Sequence, residues 1–99
     1  MSYRIRYTDE AIEDFDRLYD YLIAYDIDLA ERALAKIRDA IKLLEQFPFS
    51  CRKASEDSPL LRELVVPFGA SGYVVLFRID GSDIVSVAAI RHQREDDYH

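Results

Sequence analysis

The 99-residue chain is 49% hydrophobic and 32% charged, with three Gly and three Pro, a balance that suits one compact core and excludes a disordered chain or two separate cores. A formal net charge of −6 excludes a general affinity for DNA, RNA or an anionic membrane, because such binding calls for a basic surface. One cysteine, Cys51, and two histidines allow no intrachain disulfide and make a poor zinc set, and no segment reaches the roughly eighteen apolar residues of a membrane span.

Residues 3–7, YRIRY, alternate aromatic or aliphatic side chains with Arg, which is the period of a short strand with one covered face. Thr8 then reads as an N-cap, followed by Asp9 and Glu10, which oppose the positive end of a helix dipole. The helix that begins there carries Ile12, Phe15, Leu18, Tyr19 and Leu22 at three- and four-residue steps. Its other side holds Glu13, Asp14, Asp16, Arg17 and Asp20, and it runs to about Tyr25. Residues 26–28, DID, break the pattern, with Asp28 as the expected cap of a second helix striped by Ala30, Ala33, Leu34, Ile37, Ile41 and Leu44. So short a link demands an antiparallel helical hairpin.

Pro48 in FPF, residues 47–49, stops the second helix, and the polar stretch 50–59, SCRKASEDSP, reads as a loop without regular structure. Three strands follow: LLRELVV at 60–66, GYVVLFRI at 72–79 and DIVSVAAIR at 83–91. PFGASG and DGS separate them, as the turns of an antiparallel meander. The expected fold class is α+β, a single domain over 1–99: an N-terminal strand, a helical hairpin, then a three-stranded meander in a curved sheet packed on the helices.

This order bears on function. Two tightly joined helices cover only one face of the sheet, yet the strand at 72–79 is apolar on both, with Tyr73, Val75, Phe77 and Ile79 on one side and Val74 and Leu76 on the other. Either a protein partner supplies the second cover, or the sheet curves until that face closes on its own loops. Tyr21 falls off the main stripe of the first helix and is a further candidate contact for a partner.

No Gly-rich phosphate loop, nucleophile elbow or Ser/His/Asp set can be assembled, so no cofactor and no metal is expected. What remains is a group of arginines, Arg62, Arg78, Arg91 and Arg94, in or just after the last three strands and opposite the acidic first helix. Their forked donors suit carboxylates or phosphates, or pair with surface acids such as Glu63, Asp80, Asp83 and Glu95. The ending IRHQREDDYH adds His92 directly after the last strand. Tyr98 there is an anchor for the segment or a neighbour of a phosphate site.

LLRELVVPFGASGYVVLFRI, followed by a strand and IRHQREDDY, resembles the ParE branch of the RelE/ParE toxin superfamily. The likeness also takes in YRIRYTDEAIEDFDRLYDYL and the AER and LEQFP segments; its most specific pieces are the RHQRE ending with its Tyr and the Arg-Glu-Leu before PFG. The resemblance implies a cytoplasmic growth inhibitor of a type II toxin–antitoxin system, held in a hetero-oligomer by a ParD-like antitoxin that folds onto it. Tyr21, Val74, Leu76 and Arg78 are the expected antitoxin contacts. ParE-like members act on DNA gyrase by stabilising its broken-DNA intermediate. On that reading Arg91, His92, Arg94, Glu95 and Tyr98 meet the target and no residue is catalytic. RelE-like members cut messenger RNA in the ribosome, and Arg62, Arg78, His92 and Tyr98 would then be the catalytic set. The gyrase reading is favoured here because Lys36 and Lys42 fall on the second helix and only Lys53 lies near the strands. A net charge of −6 also opposes docking into ribosomal RNA. An inactive interaction module is the third reading.

Overall fold

The computed structural model describes residues 2–93. Its elements are β1 (Arg4–Tyr7), α1 (Asp9–Ile23), α2 (Ile27–Lys42), two short 3₁₀ turns (Leu43–Glu45 and Pro48–Ser50), β2 (Arg52–Ser55), β3 (Ser58–Phe68), β4 (Ser71–Asp80) and β5 (Ile84–His92). They form one five-stranded sheet in the order β1-β5-β4-β3-β2. Strand β1 runs parallel to β5, and the other neighbours are antiparallel.

Thr8 caps α1 as expected, its side chain accepting from the Ala11 amide. The buried stripe is Ala11, Leu18 and Leu22, flanked by Phe15 and Tyr19, whereas Ile12 is 48% exposed. Steps of four, three and four from Ala11 keep one azimuth, and Ile12 is turned about 100° away from it. The cap of α2 is Asp26 rather than Asp28: Asp26 has extended backbone, and its carboxylate accepts from the amides of Asp28 and Leu29. Asp28 becomes a first-turn acid, and α1 accordingly ends at Ile23, two residues before Tyr25. The α2 stripe is as read, with Ala30, Ala33, Leu34, Ile37, Ile41 and Leu44 all buried.

The stretch 50–59 is not a structureless loop. Arg52–Ser55 is an edge strand paired with β3, so the meander has four antiparallel strands. Its side chains are polar because an edge strand of four residues buries little, and backbone pairing with the Arg52–Glu63 ion pair at 2.9 Å holds it. The β3–β4 loop places Gly69 at φ 62°, a conformation that glycine adopts without strain.

The helical hairpin packs on one face, formed by Tyr73, Val75, Phe77 and Ile79 of β4, Val85, Val87 and Ile90 of β5, and Val66 of β3. Each such aliphatic or aromatic side chain stabilises the fold by about 1.5–3 kcal/mol when fully buried. Opposite Leu76 and Phe77 the β5 register skips Ala88, a bulge that bends and twists the sheet.

Candidate interaction surfaces

Pairing registers assign each candidate to a face. On β4, Val74 lies between Val65 and Arg91, Leu76 between Glu63 and Ala89, and Arg78 between Leu61 and Ser86, all on the face turned away from the helices. Val74 and Leu76 are half-buried, and Arg78 is exposed. Arg4 and Arg6 of β1 flank this face, in register with Ile84 and Ser86, and both are exposed. The outer face is thus an aliphatic strip with an arginine rim, while residues 9–45, which form the helical layer, carry eleven acids against five bases. Ser86 is buried beneath that rim, its hydroxyl donating to Asp80 at 2.7 Å.

Tyr21, by contrast, stands on α1, 62% exposed, its ring edge-on to Tyr25 at 5.5 Å. It borders a cavity of about 680 Å³ lined also by Arg17, Leu18, Leu22, Ser71, Tyr73 and His92. The four expected antitoxin contacts therefore occupy two places, the outer strip and this groove between α1 and the end of β4. One globular patch would not touch both; a segment that wraps around the molecule would.

Arg62 is in register with Phe77, on the opposite face from Arg78. Its guanidinium donates to the carbonyls of Pro59 at 2.7 Å, Phe49 at 3.3 Å and Cys51 at 2.8 Å, and lies 5.3 Å from the Phe49 ring centre. It serves as a clamp that ties the 3₁₀ turn and β2 to β3. His92, opposite Tyr73, has Nε2 3.0 Å from the Ser71 hydroxyl and its ring edge-on to Tyr73 at 5.3 Å. Arg91 sits in register with Val74, but its guanidinium turns to Asp14 on α1 at 3.4 Å. Arg94, Glu95 and Tyr98 lie outside the described residues.

Cys51 is half-buried beside these elements, and burial pushes its thiol above the ordinary value, against the opposing effects of the Ser50 hydrogen bond and the Arg62 charge. Such a thiol is a poor nucleophile. Among the described residues no group of three or more His, Cys, Asp and Glu is placed to hold a metal ion. Sequence reasoning passed over Asp14, Arg17 and Ser71. No signal in the sequence marked the first two, because only the pairing of the four-residue β1 with the nine-residue β5 shows that backbone on the longer strand is left to be satisfied by something else.

The family model described as the ParE toxin of the type II toxin–antitoxin system parDE matches residues 5–97. Toxin RelE1 of Caulobacter vibrioides is 33% identical over 95 residues, covering 96% of this chain and 98% of the relative. Toxin RelE3 of the same bacterium is 35% identical over 85 residues, with coverage of 86% and 88%. Among solved structures, a chain of the chromosomal ParDE system from P. aeruginosa superimposes with a TM-score of 0.76 at 22% identity, covering 92% of this chain and 96% of its own. A chain of the RelBE2 toxin–antitoxin complex from Mycobacterium tuberculosis gives 0.55 at 20% identity, with coverage of 94% and 100%.

Proposed function

We propose, from the premise that this chain belongs to the ParE toxin family of type II toxin–antitoxin systems, that it arrests growth by trapping DNA gyrase in its broken-DNA state. In this reading the segment from Arg91 onward meets the target, and an antitoxin of the ParD kind lies on the outer strip and wraps to the groove at Tyr21. The antitoxin's contribution there is physical: it covers Val74, Leu76 and Val65, which the chain's own helices leave partly exposed, and sets acids against the arginine rim.

The observation that carries the choice of gyrase over message cleavage is the placement of the arginines. Cutting RNA requires donors converging on one phosphate as charge builds in the transition state. Here Arg62 and Arg78 are on opposite faces of the sheet, and Arg62 is already held by three carbonyls. A protein that stabilises another enzyme's intermediate needs only a complementary surface.

Purified toxin added to a gyrase supercoiling reaction is the test. Accumulation of linear plasmid, reversed by antitoxin, is the expected result. Intact plasmid together with cleavage of ribosome-bound message would replace this reading with a RelE-like nuclease. Induced expression without any slowing of growth would make the chain an inactive member.

A further inference from the structure

Strand β1 stops at Tyr7, in register with Val87, yet β5 continues to His92. Strand β4 pairs with one side of β5 through to His92, but among the described residues no strand lies beside positions 88–92 on the β1 side. Helix α1 and its cap take that place with side chains. Thr8 Oγ1 donates to the carbonyls of Val87 and Ala88 at 3.1 and 3.3 Å, and Arg17 Nη2 donates to the Ile90 carbonyl at 3.4 Å. Asp14 Oδ2 accepts from the Ile90 amide at 2.9 Å.

The Asp14 carboxylate does more than satisfy that amide. Its side chain is 13% exposed; both of its oxygens lie 3.4 Å from Arg91 Nη1, and Oδ1 lies 3.6 Å from Arg17 Nη2. One carboxylate thus binds the backbone of Ile90 and the side chain of the next residue at the same time. An arginine at the end of a strand has four rotatable bonds, and ordering it on contact with a partner costs side-chain entropy. A fixed, partly buried carboxylate meets that cost before the encounter.

We infer that Asp14 is a positioning residue: through Ile90 and Arg91 it presets the end of β5 in the arrangement that the growth target recognises. The inference rests on the reading that Arg91 and its neighbours form the target surface, but not on which target that is. Arg17 supports it by holding the Ile90 carbonyl while pairing with the same carboxylate. The bulge at Ala88 shifts the register with β4 at the point where β1 ends, so beyond it β5 is held by β4 on one side and by these α1 side chains on the other.

Two variants separate charge from packing. Asp14→Asn keeps the size and an acceptor for the Ile90 amide but loses the charge that holds Arg91, whereas Asp14→Glu keeps the charge. Growth arrest is titrated against inducer, with melting temperature and antitoxin affinity measured in parallel. D14N is expected to lower potency by roughly tenfold with Tm and antitoxin affinity unchanged, and D14E to retain most of the potency. Adding D14N to Arg91→Ala should cost nothing further, since both act through one side chain. Full potency in D14N overturns the inference, and so does a loss of potency that merely follows a loss of Tm. If Arg91→Ala itself leaves arrest unchanged, the target-surface reading fails instead. Positioning is then judged by the Arg91 Nε–Hε resonance, where a signal unaltered between wild type and D14N overturns it and a broadened one upholds it.

Discussion

Strand β4 presents two faces that look alike in sequence and differ in the structure. On one, Tyr73, Val75, Phe77 and Ile79 are 0–2% exposed beneath the helical hairpin. On the other, Val74 and Leu76 are half-buried and Arg78 is exposed. Hydrophobicity alone does not distinguish these sets; the presence of a covering layer does. An apolar strip left without a cover of its own and rimmed by arginines is what an association surface requires, a dry centre with a charged edge. The inner face supplies stability, and the outer face is where the proposed reading seats the antitoxin.

That contrast can be broken by substitution. Phe77→Ala, in the middle of the inner face, should cost about 3–5 kcal/mol and lower Tm sharply, with antitoxin binding lost only as a consequence of unfolding. Leu76→Glu, one residue away on the outer face, should change stability by less than about 1 kcal/mol. It should nevertheless weaken antitoxin binding by roughly thirtyfold or more in a titration, because a charge then sits in the centre of the contact. Equal effects of the two variants on Tm would mean that the faces do not divide the work. A smaller change probes the inner cover itself: Asp26→Ala removes the cap of α2 and should cost about 1 kcal/mol in denaturant unfolding while leaving antitoxin affinity intact.

The smallest effect concerns pH. Tyr7 lies on the inner side, in register with Val87 and packed near Phe15 at 5.9 Å between ring centres. Burial raises its phenol above the ordinary 10.0; Arg38 opposes the shift and Glu45 adds to it. A folded value above the unfolded one means that its contribution is complete below pH 10.0 and lost as pH rises further. Tm should therefore fall at alkaline pH, and Tyr7→Phe should make that fall shallower in a pH series of melts.

Much of the architecture is legible in the residues. The α2 stripe, the three long strands and the two-sided apolarity of β4 follow from spacing, because long periodic segments bury enough to obey their own pattern. Strand β2 is hidden for the opposite reason: RKAS buries little, and only its partner β3 makes it a strand. The shift from Ile12 to Ala11 and from Asp28 to Asp26 are errors of one or two residues, set by where the chain turns rather than by residue type. The site is harder to read. Arg62 looks in the sequence like its neighbour in role, Arg78, but one is spent on three carbonyls and the other lies on the far face. Asp14 looks like one more acid on a solvated helix side, and only the missing length of β1 assigns it to Ile90.

The parallel pairing of β1 with β5 has a consequence for the timing of folding. Thr8 meets the Val87 carbonyl across 79 positions, so the first strand stays without its β5 neighbour until residues 84–87 have been made. Contacts so distant in sequence form late and slowly. While the ribosome is still adding β5, the first strand is already made but waits unpaired, and the sheet gains that edge only when β5 arrives between β1 and β4.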